Sequence, residues 1–524
     1  MLVRLLNGFL PWCPADTFTL VAAGKVSTFA GATQTFLFPP AGVTATIPDP
    51  NFPDATHVGY PGGTASRLKC SALFYETLKC PIAGDEAAAM ATAPALGPNH
   101  NQFPLVSPVA ADADDGEEFD VIRYFGNLSP WRSIPSKNYG LQWASPTIPE
   151  GCEIVQAHLL HRHGARYPTT DAGTDKFAAK VHEMANSPRG FEASRKLRFL
   201  KTWKYKLGGE LLTPFGRSEL LNFAAGFFGL PDYYKDYHQL IEVETWGQNL
   251  TLASYMSCPN AMKGSVAGVG FGKAAGEWME VYLKDARERL QKDLPGFNLT
   301  ITDCYRMQHM CAYETIALGY SKFCGLFTQK EWKGYSYANS LQMWYGAGPG
   351  SPVAAALGIG WVQELVSRLT KTRITEFKTS VNQTIVESEM HFPFGQPIYV
   401  DAAHDITMAS IYVAMNFTNF IRTDEVMPFA VNLVGQVLSC PAHDQEAPGE
   451  PTHIRWVLND GVLPLSGIDG CGHHKHGMCE LDTFIRAMKQ RIDEIDYDCA
   501  CHGDYEFPDP DYIVDGQWPQ CKRS

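Results

Sequence analysis

Two short stretches carry residue types that could do chemistry together. The first is Arg162-His163-Gly164-Ala165-Arg166, inside AHLLHRHGARYPTTDAG from Ala157 to Gly173. Two guanidiniums present forked donors that match phosphate oxygens, and Gly164 lets the backbone approach a ligand closely. An imidazole held between them can attack phosphorus and become a phosphohistidine, while the neighbouring cations spread the charge of the transition state. The second stretch is His404-Asp405. Asp405 supplies what the first lacks, a carboxylic acid able to protonate a departing alkoxide, and His404 can serve as a further phosphate ligand. A His-Asp pair after a strand is by itself more often a surface turn, whereas the full string R-H-G-A-R-Y-P is far more specific.

The surrounding sequence says what must position them. CEIVQAHLL reads as a strand running into the Arg/His cluster, and TDKFAAKVHEMA after it has Phe177, Val181 and Met184 at helical spacing. QPIYVDAAHDITMASIYVAMNF repeats that order, with a strand at Ile398–Val400, a polar loop and a helix. Thr213-Pro214 starts another helix, with Thr as N-cap and Pro at the first helical position. EWMEVYLKDARERLQ and LGIGWVQELVSRLT are amphipathic helices, and HIRWVLNDGVLPL predicts two strands joined by an Asn-Asp-Gly turn. Two strand-loop-helix units predict a doubly wound, mostly parallel sheet with helices on both faces, whose ligand crevice lies at the carboxyl ends of the strands. Helix N-termini also point there and favour an anion.

The 524 residues suffice for two to four domains, or for one large α/β domain with an insertion. A net charge of −13 excludes a sequence-independent nucleic-acid binder, which needs a basic footprint. No stretch is apolar for long enough to span a membrane. Fourteen cysteines without a repeated C-x-x-C pattern favour disulfides over a zinc module. Sequons at Asn127, Asn249, Asn298, Asn382 and Asn416 point with them to a secretory, extracellular compartment. The N-terminal MLVRLLNGFLPWCP is not a clear signal peptide, because Pro11 breaks its apolar run. Residues 1 to about 118 are rich in Pro, Gly, Ala and Thr and read as loop or disorder.

RHGARYPT, from Arg162 to Thr169, resembles the signature of the histidine acid phosphatases, particularly their fungal phytase branch, and His404-Asp405 resembles that family's second motif. GNLSPW, LLTPFG, FCGLFTQKEW, WYGAGPGSP, GIGWVQELVSRLT and VLNDGVLPLSGI are similar to family segments in the expected order, from about Ala55 to near Cys499. The resemblance implies a phosphoglycerate mutase-like α/β domain over 152–524 with a mainly helical insertion at about 177–300. It leaves 55–151 as a loop-rich segment packing on that domain, and 1–54 unplaced as a signal, propeptide or gene-model artefact. It implies that His163 is the nucleophile, that Arg162, Arg166 and His404 hold phosphate, and that Asp405 is the proton donor, with neither metal nor cofactor. The implied substrate is a small phosphomonoester such as phytate. The alternatives are a broad-specificity acid phosphatase or a non-catalytic binder of phosphorylated ligands. The implied disulfides are Cys152 with Cys440, Cys311 with Cys324, Cys471 with Cys479, and Cys258 with Cys499 or Cys501. Lys176 and Lys180 are plausible contributors to the rest of the substrate pocket.

The chain departs from that pattern at one place. The family carries a third phosphate-binding arginine on a strand after the L-T-P-F-G helix, yet here GRSELL runs directly into NFAAGFFG and no arginine lies between Arg217 and Arg287. About 35 residues, the size of one strand-helix unit, are expected to be missing.

Other motifs carry less. CGHHKHGMC, Cys471 to Cys479, combines two sulfurs with three imidazoles, but oxidised cysteines cannot ligate a metal as thiolates. His161-x-His163 is disfavoured as a metal pair by the arginines flanking His163. GVGFGKAAG has the wrong glycine spacing for a phosphate loop and reads as a flexible loop, and no G-x-S-x-G elbow supports a serine mechanism.

Overall fold

A computed structural model describes residues 19–22, 25–28, 107–113, 119–169, 172–209, 212–220, 254–389, 391–417, 427–440, 450–506, 512–513, 515–518 and 521. The strands are β1 (Thr19–Ala22) and β2 (Lys25–Thr28), which form a separate hairpin, followed by β3 (Glu153–Arg162), β4 (Ile398–Ala403), β5 (Asn432–Ser439), β6 (His453–Leu458), β7 (Gly461–Val462) and β8 (Cys479–Glu480). The longer helices are α1 (Thr174–Asn186), α2 (Gly276–Tyr282), α3 (Lys284–Gln291), α4 (Ile301–Leu318), α5 (Gln329–Gly346), α6 (Ala354–Thr370), α7 (Asp405–Ala414) and α8 (Leu481–Glu494).

The main sheet runs β4-β3-β5-β6-β7, with β8 beside β6. β3 lies inside the sheet and is buried on both faces, which explains its almost unbroken apolar run. Only β3 and β4 pair in parallel among the described strands; β5, β6, β7 and β8 all pair antiparallel. The expected mostly parallel sheet is therefore corrected to a mixed one. A parallel pair needs a long crossover, which the chain between β3 and β4 supplies, whereas β6 and β7 are joined by a tight turn. That turn is the predicted Asn-Asp-Gly hairpin, with Asn459 and Asp460 in the left-handed region at φ 45° and 72°.

Among the described residues, helices cover only one face of the sheet rather than the expected two. Leu160, Leu433, Ile454, Trp456 and Leu458 face α6, α7 and α8 in one core, while Leu159, Val434 and Val457 pack on the opposite side against Leu141, Ala144 and Ile148. That second face is closed by a loop. Buried Arg455 pins it by donating to the carbonyls of Ser145, Pro146 and Thr147.

A second core joins α1, α2, α3, α4 and α5 to residues 110–113 and 119–128. The helical layer thus reaches past about 300 to Gly346, because capping boxes at Thr300/Asp303 and Thr328/Glu331 start two long helices that both bury aromatic faces. EWMEVYLKDARERLQ divides into α2 and α3 around Leu283, and GVGFGKAAG lies in a π-helical turn, Val269–Ala275, leading into α2 rather than in a loop.

Five disulfides lie among the described residues. Cys152–Cys440, Cys311–Cys324 and Cys471–Cys479 form as the resemblance implies; Cys258 pairs with Cys501, and Cys499 with Cys521. Cys304 is buried and free.

Candidate active site

Strand register brings the two stretches together. Arg162, the last residue of β3, is opposite Ala403, the last residue of β4, so His163 and His404 emerge side by side. Their ring centroids are 5.3 Å apart. The backbone N–H of His163 donates to Ala403 O at 3.3 Å, and His163 O accepts from Ala430 N at 2.9 Å. His404 is the N-cap of α7, with φ −108° and ψ 162°, and Asp405 begins the helix. The helix N-terminus therefore faces the site, where its positive end favours an anion.

His163 Nδ1 lies 2.8 Å from Gly164 O. A carbonyl can only accept, so Nδ1 carries the proton and Nε2 keeps its lone pair. Nε2 is buried and has no hydrogen-bond partner among the described residues. Burial first, then Arg162, lowers the imidazole pKa to about 3, so the ring stays neutral through the mildly acidic range.

Arg162 is almost fully buried. Its Nη1 donates to Asn127 O and to Met427 O at 3.0 Å, its Nη2 pairs with Asp405 Oδ2 at 2.8 Å, and its guanidinium lies 4.5 Å from the centre of the Phe429 ring. Asn127 Nδ2 also donates to Asp405 Oδ2, at 2.8 Å, and Ile406 N donates to Oδ1 at 2.9 Å. Burial opposes ionisation of Asp405, but Arg162, Asn127 and Ile406 outweigh it and hold the carboxyl well below its ordinary range. The expected proton donor is thus ionised in the resting site.

Sequence reasoning missed the parts that hold the first loop. The helix beginning at 214 presses its first turn onto that loop. A Cβ on Gly216 would fall 1.9 Å from Ala165 O, and one on Gly164 would fall 2.1 Å from Gly216 O. Only glycine at both positions permits this approach. Thr213 donates to Ala165 O through both N and Oγ1, at 2.9 and 3.1 Å. Glu219, one turn on, accepts from Ala165 N at 2.7 Å and from Trp131 N at 2.9 Å. Its burial raises the carboxyl pKa to about 7 against those two donors and Arg162. The signal was present as Thr213-x-x-Gly216-x-x-Glu219, three residues at a spacing that puts them on one face of the helix start.

The other expected residues fall as follows. His404 is exposed, and Arg166 is half-buried beside a backbone bridge to Leu212. Lys176 is exposed on α1, but Lys180 is tied to Asn298 O and the Asp303 carboxylate, anchoring α1 to the start of α4 rather than facing a ligand. Asn127 borders Asp405, so that sequon serves the site; Asn298 and Asn382 are exposed, Asn416 Nδ2 donates to Gly467 O, and Asn249 lies outside the described residues. His474 Nδ1 accepts the backbone N–H groups of His476 and Met478 inside the Cys471–Cys479 loop, and no metal-ligating group of three side chains occurs among the described residues. No helix among them is long and apolar enough to cross a membrane. The run GRSELLNFAAGFFG leaves the described residues after 220.

The fold and these paired strand ends define a histidine-phosphatase type of protein. The chain belongs to the histidine phosphatase superfamily, branch 2, whose family model matches residues 153–228 and 220–459. It is 28% identical over 433 residues to Phytase A of Aspergillus oryzae, covering 70% of this chain and 88% of that protein. It is 30% identical over 431 residues to a Phytase A of Aspergillus terreus, covering 70% and 89%. Among solved structures, the phytase from D. castellii superposes with a TM-score of 0.51 at 17% identity, covering 75% of this chain and 92% of that one.

Proposed function

We propose that the chain hydrolyses phosphomonoesters through a phosphohistidine on His163, with phytate, myo-inositol hexakisphosphate, as the favoured substrate. The observation that carries this reading is the partnerless, buried Nε2 of His163, its tautomer set by Gly164 O, beside an Arg-carboxylate pair. Nε2 forms a bond to phosphorus as the ester P–O bond breaks, and the alkoxide takes a proton from Asp405. Water then attacks phosphorus and returns a proton to Asp405, and cleavage of the P–N bond frees phosphate and His163. Arg162, Arg166 and His404 hold the non-bridging oxygens. The resting ionisation of Asp405 fits this cycle. A bound phosphate competes for Arg162 Nη2 and sets negative charge beside the carboxylate, and both effects raise its pKa until it carries a proton at acidic pH. Phytate is chosen because the relatives are named Phytase A. Five disulfides and the exposed sequons Asn298 and Asn382 support a secreted protein.

The test is acid-quench trapping of labelled phosphate from substrate, with phytate and a simple aryl phosphate assayed side by side. Label on His163 and faster turnover of phytate are expected. A folded sample that traps none defeats the mechanism, and faster turnover of the aryl ester turns the reading to a broad-specificity acid phosphatase.

A second reading, a non-catalytic binder of phosphorylated ligands, has its own support. The third arginine is absent between Arg217 and Arg287. The family match divides into two pieces that meet at 220–228. No described strand covers the outer edge of β4, where Val400 is 44% exposed. We propose on these grounds that a strand-helix unit is missing and that turnover is reduced by about 10²- to 10³-fold. A transcript reading without interruption through GRSELLNFAAGFFG would exclude a gene-model error, and turnover undiminished by that margin would exclude the impairment.

A further inference from the structure

One region far from neutral takes no part in the reaction above. From Arg195 to Lys206 the chain reads RKLRFLKTWKYK, with six Lys or Arg in twelve residues and no acid, in a protein of net charge −13. Such local reversal of sign marks a surface built for an anion. The first seven residues form a 3-10 helix, Arg195–Lys201, whose Leu197 and Leu200 are buried in the helical core. That anchoring turns the cations outward.

Two adjoining cavities open beside it. A groove of about 590 Å³ is lined by Arg195, Lys196, Phe199, Tyr320 and Lys322, and a pocket of about 150 Å³ by Trp203, Lys204, Lys206 and Glu314. Phe199, Tyr320 and Lys322 line both, so the two form one depression with an aromatic floor. Some of the cations are already engaged. Lys196 Nζ donates to Ala111 O and Gly325 O at 3.2 and 3.1 Å, and Arg195 lies 3.6 Å from Asp293. Lys204, Lys206 and Lys322 form no ion pair among the described residues. The one carboxyl in the lining, Glu314, is buried and accepts from Trp203 Nε1 at 2.9 Å and from Ser321 Oγ at 2.6 Å. It holds Trp203 and the loop that carries Lys322, and its burial, which raises its pKa to about 7, outweighs the pull of Lys206 and Lys322 on its charge.

We propose that this depression is a second anion site, for a compact small molecule bearing several phosphate groups. Three ammonium groups around one cavity act as separate point charges, which suits an anion whose charges are spread over several groups rather than a single phosphate. The three lysines line the smaller pocket, and the groove that adjoins it at Lys322 has the volume of a small-molecule site. The choice of ligand class rests on the proposed function; the site itself does not require turnover.

The experiment is calorimetric titration of the full chain with myo-inositol hexakissulfate, a polyanion the chain cannot hydrolyse as a phosphate ester. Two binding events are expected in the parent protein, the weaker one lost or lowered at least about tenfold by Lys204→Glu/Lys322→Glu and reduced less by Lys204→Gln/Lys322→Gln. Turnover of an aryl phosphate stays at the parent value in both variants, which also reports their folding. Inorganic phosphate displaces the probe from the catalytic event alone. A single event in the parent, a second event untouched by both double variants, or equal displacement of both events by phosphate overturns the site. Failure to trap phosphate on His163 removes the proposed reaction and leaves this stoichiometry unaffected, so the two can fail separately.

Discussion

The two loops that build the site are held to different degrees. The His163 loop leaves a strand paired on both sides and is gripped from the front by Thr213, Gly216 and Glu219. The His404 loop leaves β4, at the edge of the described sheet, and its histidine is exposed. His163 therefore has a set tautomer and burial, whereas Asp405 depends on Arg162 at the end of β3 and on Asn127 in the Gly126–Leu128 turn. The difference teaches that His163 is fixed mainly by backbone, and Asp405 mainly by side chains.

The largest effect breaks the better-held half. His163→Ala is expected to lower turnover by more than about 10⁴-fold with no loss of fold, read by activity and circular dichroism. Next comes the acid: Asp405→Asn should cost about 10²- to 10⁴-fold for esters with poor leaving groups and far less for good ones. Equal loss across leaving groups would remove Asp405 from that role. Asn127→Ala tests the cross-loop support. It deletes one donor to the Asp405 carboxylate and so raises that pKa; the alkaline limb of the pH profile, where Asp405 loses the proton it donates, should shift to higher pH, and turnover should fall by about tenfold.

Smallest is the clamp. Glu219→Gln leaves one buried N–H without a good acceptor, a cost of about 1–3 kcal/mol in urea unfolding. Glu219 also has a pH signature. Its folded pKa, about 7, lies above the unfolded value of 4.5, so the native state binds more protons between them and the contribution of Glu219 to stability is lost as pH rises through that window. The parent should thus lose stability from pH 4.5 to 7.5 relative to Glu219→Gln. Parallel stability curves for the two proteins would refute a raised pKa.

Much of the site was legible because its chemistry is local. Arg162, His163 and Arg166 sit within one loop, and the strand before and helix after them follow ordinary periodicity. The sheet was read less well. Two strand-loop-helix units imply parallel pairing, but strand direction is set by connections, and β5 to β8 return antiparallel. Glu219 and Asn127 escaped notice because their partners lie 54 and 278 residues away in sequence, at Ala165 and Asp405.

By itself the sequence determined the superfamily and the candidate-site residue types, because both rest on short-range identity and order, and the family resemblance implied the pairs Cys152–Cys440, Cys311–Cys324 and Cys471–Cys479. Only the tertiary structure decided which nitrogen of His163 is free, that Arg162 is shared with Asp405 before any ligand arrives, and that a basic stretch closes around a cavity. Those properties come from contacts between distant segments and from burial, which local spacing does not encode.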